Sequence, residues 1–248
     1  FYVSETSTKR EVSTQELRFM TQQKSQSSPK LTLGMYFKQL TQVDSSNGWI
    51  FAGDASVLNA DFVNINIASY GEIEFPLNEM LRTTLSTRVE NSSIEYVGRS
   101  GYDQSSLDPL LVETSDPLWG FKSSLSYNPD TEKTIFASLS RGYKSGGINQ
   151  NPYLTDHNST YEPEHNLNFE AGYRWLSNRF HSELTLFYMK RNNLQLSISG
   201  QQEEGNPESF LYYTSNATSG YNYGAEVLQR VAISDDLTIS GSGGYLLT

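Results

Sequence analysis

The 248-residue sequence contains no Cys, only three His, and no stretch near the ~18 consecutive apolar residues that a membrane-crossing helix needs. Without Cys there is no disulfide scaffold, no Cys-based zinc site and no thiol nucleophile. Such a chain also crosses an oxidising periplasm without forming stray bridges. Cations are scarce: 18 Lys and Arg stand against 28 Asp and Glu, giving a net charge of −10. No basic stripe is available to neutralise phosphates, which argues against nucleic-acid binding. Apolar residues are few for the length, at 36%. Low hydrophobicity with excess acid is the composition of disordered chains, but those lack aromatics, and 12% of this sequence is Phe, Trp or Tyr. Phe1-Tyr2-Val3 carries neither a charged n-region nor an apolar h-region, so the segment reads as a mature chain or a piece of a longer one.

What is present is a period of two. Thr83, Leu85, Thr87 and Val89 alternate with Arg82, Thr84, Ser86, Arg88 and Glu90. Phe169, Ala171, Tyr173 and Trp175 alternate with Asn168, Glu170, Gly172 and Arg174, and Tyr221, Tyr223, Ala225 and Val227 with Gly220, Asn222, Gly224 and Glu226. This is the pattern of strands with one apolar and one polar face. Two architectures use it: a soluble sandwich with the apolar face as core, and a membrane barrel with the apolar face toward lipid.

Connection lengths separate the two. Short polar turns are expected at 25–29, 77–80, 128–132, 176–179 and 234–236, and long connections rich in Gly, Ser, Asn, Asp and Pro at 44–64, 97–117, 144–165 and 199–218. Loops that long count against a compact soluble domain, whereas outer-membrane barrels have short periplasmic turns and long extracellular loops. The reading is all-β: an antiparallel transmembrane barrel segment of ten strands at 11–23, 30–43, 65–76, 81–96, 118–127, 134–144, 166–175, 180–198, 219–232 and 237–248. The polar face, with Glu16, Arg18, Glu72, Glu74, Arg82, Arg88, Glu90, Lys122, Glu170, Arg174 and Glu226, would line the lumen, where charges of both signs can pair. Tyr36, Phe37, Tyr143, Tyr173 to Trp175 and Tyr221 to Tyr223 would form interfacial girdles.

Several segments also resemble one family. Ser13-Thr14-Gln15-Glu16-Leu17-Arg18-Phe19 with Leu33-Gly34-Met35-Tyr36-Phe37 is similar to a mid-barrel hairpin of TonB-dependent outer-membrane receptors. Ser138 to Asn149, Tyr161-Glu162-Pro163-Glu164, Asn168 to Arg174, Leu186-Phe187-Tyr188, Leu194-Gln195, Asn216-Ala217 and Gly224-Ala225-Glu226-Val227 follow in the family's order. The resemblance implies a 22-stranded barrel with a plugged lumen. Residues 1–248 would be an internal part of that barrel, without plug, TonB box or closing strand. It implies high-affinity, proton-gradient-driven uptake of a scarce nutrient, most often a ferric siderophore, in the outer membrane of a Gram-negative bacterium. The partners implied are the TonB–ExbB–ExbD complex, a small chelate, and outer-membrane lipid with lipopolysaccharide. No cofactor is expected beyond iron carried within a transported chelate.

On that frame the 144–165 connection is the first candidate for ligand contact, with Lys144, Asn149, Tyr153, His157 and Tyr161, and Arg99 and Tyr102 have the same status in 97–117. Cations and aromatics suit an anionic chelate. Glu16, Arg18, Arg88, Glu90, Glu170, Arg174 and Glu226 are the residues expected to line the lumen and meet the plug. Trp49 and Phe51 would touch ligand or tuck against the rim. Asp156, His157, Glu162, Glu164 and His165 match no zinc or calcium spacing, so no metal site is expected. The Asn91, Asn158 and Asn216 triplets match the glycosylation pattern only as chance gives it in such a composition. No nucleophile elbow occurs, and Gly241-Ser242-Gly243-Gly244 lacks the third glycine of a dinucleotide loop, so no enzyme is expected. The competing functions are a passive porin or autotransporter barrel and, in another class, a soluble glycan-binding β-sandwich.

Overall fold

The computed structural model describes the chain except residues 1, 23–24, 26–27, 51–52, 102–107, 151–153, 155, 202–203 and 206–209. Ten long strands run in simple antiparallel order: β1 (Tyr2–Met20), β2 (Lys30–Ile50), β3 (Gly53–Pro76), β4 (Leu81–Gly101), β5 (Asp108–Tyr127), β6 (Lys133–Lys144), β9 (Glu164–Leu176), β10 (Phe180–Gln201), β11 (Phe210–Ala232) and β12 (Thr238–Leu247). Between β6 and β9 lie the two-residue strands β7 (Gly147–Ile148) and β8 (Thr160–Tyr161), paired with each other, and a single 3₁₀ turn at Asp156–Asn158. β1 and β12 are the open edges. Among the described residues no second large sheet packs on this one, so the soluble sandwich is not what the chain forms.

The five short connections lie at one end. In several of them a side chain replaces missing ladder partners. Asn78 Oδ1 accepts from the Met80 and Leu81 N–H groups at 2.9 and 2.8 Å. Asp130 Oδ1 accepts from Glu132 and Lys133 at 2.9 Å each, and Ser177 Oγ accepts from Phe180 at 3.1 Å. At the other end the strands run on much further than the sequence reading placed them. β2 reaches Ile50, β3 starts at Gly53 and β5 at Asp108. The expected long connections at 44–64, 97–117 and 199–218 are therefore mostly ladder. Asn, Ser and Asp lower strand propensity, but a polar strand paired on both sides needs no apolar face once it stands in water above a bilayer. Among the described residues, the folded connection is that at 145–163.

The two faces differ as the alternation requires. Leu17, Phe19, Leu33, Met35, Ile67, Val89, Trp119, Leu125, Leu139, Phe169, Leu186 and Tyr188 are large apolar residues left exposed, all on one face. The other, here called inner, carries the charged residues and is the face on which the 145–163 connection lies. Its apolar core is small: Ala60, Ile94, Tyr96 and Ile148, flanked by Phe62, Leu110 and Val112. Ile148 of β7 thus roofs the inner face of β3, β4 and β5. The sheet is a wall whose apolar side needs a non-aqueous neighbour.

Candidate functional site on the inner face

Two networks of the same composition cross the inner face. In the first, Arg18 donates to Glu16 Oε1 at 2.9 Å and to the Tyr70 hydroxyl at 3.0 Å, and Tyr70 donates to Glu16. In the second, Arg88 donates through Nε to Glu90 Oε2 at 2.8 Å and to the Tyr143 hydroxyl at 3.0 Å; Tyr143 donates to Glu90 at 2.8 Å, and Asn66 adds a bond to Glu90 at 3.0 Å. Each joins strands that are not neighbours: β1 to β3, and β4 to β6. The intervening strand carries a glycine at the crossing. A Cβ at Gly34 would lie 2.2 Å from the Tyr70 ring, and one at Gly120 3.3 Å from the Tyr143 ring. The register places Arg18, Gly34, Tyr70, Arg88 and Gly120 in one row across five strands. The Arg88 guanidinium also stands 5.3 Å over the Tyr36 ring.

These placements correct the girdle assignment of Tyr36 and Tyr143, which both belong to the inner face. Parity alone puts Tyr36 there, at an even position with Gly34 and Lys38. Parity would send Tyr143 outward with Arg141. The pairing of β6 with β5 ends at Phe121↔Arg141, which leaves Tyr143 free to swing inward over Gly120.

The other expected lumen residues are partnered or line grooves. Arg174 forms a two-bond pair with Glu183, at 3.0 and 2.9 Å, and Asn168 donates to Glu170 at 2.8 Å. Arg82 pairs with Glu74, and Ser86 donates to Glu72 at 2.8 Å. Glu226 lines an open groove of about 580 Å³ with Glu183, Thr185, Ser242 and Gly244. Lys122 shares a cavity of about 350 Å³ with Arg18, Tyr70 and Arg88.

The 145–163 connection is fixed to the wall by polar side chains, and the segments quoted separately from the sequence meet here. Gln195 donates through Nε2 to the Ser145 and Glu162 carbonyls at 2.9 and 3.0 Å. Asn216 accepts from the Glu162 N–H at 2.7 Å and donates to the carbonyls of Glu162 and Asn193 at 3.0 and 2.9 Å. Glu164 is 5% exposed; it pairs with Arg191 at 2.6 Å and accepts from the Gln195 N–H at 3.0 Å. Asn193 holds a φ of 53°, a left-handed value that Asn tolerates. It donates to the Glu162 carboxylate at 3.0 Å. Asn149 acts as a missing strand residue: its amide donates to the Thr214 carbonyl and accepts from the Thr214 N–H, both at 2.8 Å, and donates to the Asn158 carbonyl at 2.9 Å. Asp116 accepts from the Gly146 N–H at 3.1 Å. Burial pushes the Asp116 carboxyl up, against that bond, and the nearby Glu162 adds to the rise.

Asn149 is therefore 9% exposed and structural in place, whereas His157 is exposed on the 3₁₀ turn and Lys144 is exposed where β6 ends, in register with Glu164. Tyr161 is half-buried with its ring over Gly147, and burial pushes its phenol up. Arg99 is exposed at an odd position of β4, on the outer parity, away from the connection. Tyr102, Tyr153 and Phe51 lie outside the described residues, as does the side chain of Trp49. Among the described residues no group of three His, Asp or Glu is placed to hold a metal ion. Gln195, Asn216 and Arg191 were not proposed from sequence as contact residues. Gln195 carried a signal, a polar residue between the apolar Leu194 and Leu196; Arg191, between Lys190 and Asn192, and Asn216, after Ser215, carried none.

A single-layer wall with an apolar outer face, a charged inner face and a connection folded inward over that face defines a segment of a membrane β-barrel. The family described as TonB dependent receptor-like, beta-barrel, matches residues 3–247, and the chain belongs to it. It is a family of outer-membrane receptors and transporters rather than enzymes. No curated protein matches the sequence. Among solved structures, the ferric yersiniabactin uptake receptor FyuA from Yersinia pestis superposes with a TM-score of 0.83 at 15% identity, over 99% of this chain and 36% of that one. The copper transporter OprC gives 0.75 at 12%, over 98% and 38%. The siderophore receptor PiuA from Acinetobacter baumannii gives 0.65 at 14%, over 97% and 38%. At these identities the likeness is one of fold. The chain spans little more than a third of each.

Proposed function

We propose that this chain is the central part of the barrel wall of a Gram-negative outer-membrane receptor that takes up a scarce nutrient, most simply a ferric siderophore, by TonB-dependent transport. Family membership supports the transport class, and the siderophore receptors among the similar structures support the cargo. The observation that carries the reading is the inner face itself. Its charges form networks across three strands, and one connection is tied down over it, as befits a wall that meets a folded plug rather than open water. Arg18, Arg88, Glu90, Glu170, Arg174 and Glu226 would be the wall's contacts to that plug, and Glu16 would hold Arg18 in place. Lys144, His157 and Tyr161, at the mouth, would meet the chelate, whose iron is cargo and not a resident cofactor. The TonB–ExbB–ExbD complex would act through plug segments beyond this wall.

The test is uptake of radiolabelled iron chelates by cells carrying or lacking the gene, in backgrounds with and without TonB. The reading expects one chelate class whose uptake needs both. Uptake of small solutes that persists without TonB and scales with concentration would contradict it and favour a passive barrel. The copper transporter among the similar structures makes a copper complex the second cargo to include.

A further inference from the structure

Buried polar atoms without partners gather on the inner face where β7 rests. Among the described residues seven buried side-chain atoms have no hydrogen-bond partner, and four of them, Asn64 Oδ1, Ser92 Oγ, Tyr96 Oη and Thr114 Oγ1, lie on β3, β4 and β5. The register arranges these four around Ile94: Asn64 and Thr114 flank it in one row, and Ser92 and Tyr96 stand two residues before and after it on β4. Ser92 is 1% exposed and Tyr96 0%. Ile148 of β7 packs in one cluster with Ala60, Ile94 and Tyr96, so it sits on the centre of the ring and can satisfy none of it. Buried polar groups are otherwise paired, and a ring of four suits a surface that another group meets when β7 is away.

The connection is held unevenly. On the β10–β11 side Gln195 bonds the Ser145 and Glu162 carbonyls, Asn193 and Asn216 hold Glu162, and Asn149 is paired with the Thr214 backbone. On the β3–β5 side the described residues supply one hydrogen bond, from the Gly146 N–H to Asp116 at 3.1 Å, beside the apolar contact of Ile148. Local opening starts where such ties are fewest, so β7 leaves the wall while β8 stays on β11.

We propose that Asn64, Ser92, Tyr96 and Thr114 form a hidden binding patch for an uncharged, hydrogen-bonding organic group, and that Ile148 is its displaceable cover. On the transport reading given above, on which this rests, that group is the amide or hydroxyl scaffold of the chelate, while Lys144, His157 and Tyr161 meet its charged face. The ring carries no charge and has an apolar floor in Ile94, with Phe62 and Val112 flanking Tyr96 in register. Asp116 stands beside Ser92, and Lys38 lies in the same row two strand spacings away, about 10 Å, beyond Asn66. A group with N–H or O–H donors and an apolar body replaces what Ile148 withholds, whereas an anion would meet Asp116. Cover and cargo compete for one surface, so the closed population lowers the apparent affinity.

The test is equilibrium binding of an uncharged ferric trihydroxamate and of an anionic ferric tris-catecholate, each labelled with radioactive iron, to the full-length receptor in detergent. Ile148→Ala should tighten trihydroxamate binding about threefold or more, because it shifts β7 off the patch. Ser92→Ala/Thr114→Val, which keeps the shape and removes two of the hydroxyls, should weaken it about tenfold or more. Heat-modifiable migration on a gel reports the folded fraction of each variant, and tighter binding cannot come from misfolding. Unchanged or weaker binding by Ile148→Ala would overturn the cover, and unchanged binding by the folded double variant would overturn the patch. Binding of the tris-catecholate alone, or of neither probe by a receptor that still imports another chelate through TonB, would overturn the patch and leave the transport reading standing. Absence of TonB-dependent uptake of any iron or copper chelate by cells would overturn both.

Discussion

Placing an alanine at Gly34 is the sharpest probe of how the wall carries charge across its strands. The new Cβ would lie 2.2 Å from the Tyr70 ring, well inside contact distance, so the ring must leave. Tyr70 would then lose its bonds to Arg18 and Glu16. Tyr70, itself half-buried, thereby loses two hydrogen bonds whose far ends stand in water, a loss of about 1–2 kcal/mol. Against this, Gly→Ala in an extended strand gains roughly 0.5–1 kcal/mol by restricting the unfolded chain. With Tyr70 intact, Gly34→Ala should cost about 1 kcal/mol net. In a Tyr70→Ala background it should be neutral or stabilising by about 0.5 kcal/mol, a coupling of about 1–1.5 kcal/mol. The assay is reversible urea unfolding of the full-length protein in lipid vesicles, over all four members of the cycle. The same effect of Gly34→Ala with and without Tyr70 would refute the idea that the glycine exists to let the ring through.

Further outcomes follow from the same contacts. Gly224→Ala should destabilise far more than Gly220→Ala, because its Cβ would meet the Tyr245 carbonyl at 2.0 Å whereas that of Gly220 meets only a Leu194 methyl at 3.5 Å; the same unfolding assay compares them. Asn149→Ala removes two bonds between the connection and β11 and a third within the connection, worth about 2–3 kcal/mol locally, and should speed proteolytic cleavage within 150–158 by tenfold or more while the strands stay protected. Burial raises the Asp116 carboxyl above its ordinary value of 3.8, so the closed connection binds a proton more tightly than the opened one. Closure should therefore weaken as pH rises through and just above that value. Hydrogen exchange of the Gly146 amide, corrected for intrinsic rate, should show this loss of protection, and Asp116→Asn should flatten it.

The strand order and the two faces were legible in the sequence because alternation is local: Arg82 to Glu90 states its own parity. The turns were legible for the same reason, since Asn78, Asp130 and Ser177 act on backbone groups within three residues. Strand length above the bilayer was not, because residues 44–50, 53–64, 97–101 and 108–117 carry loop composition and are held as ladder by backbone partners on adjacent strands, which no residue announces locally. The inner networks were half legible. Charge pairs such as Arg88 and Glu90 sit two residues apart, but nothing local says that Tyr143 joins them across β5. The anchoring of 145–163 by Gln195 and Asn216 spans more than thirty positions and needed the register.

The central claim is that one face of this sheet meets lipid and the other does not. Because the chain has no Cys, single cysteines can be placed at positions 82 to 90 of the full-length protein without background from this segment. Labelled with a nitroxide in vesicles, they report collision with oxygen in lipid and with a water-soluble quencher. The account predicts strict alternation, with 83, 85, 87 and 89 lipid-exposed and 82, 84, 86, 88 and 90 not. Equal access of the aqueous quencher to both sets would contradict it.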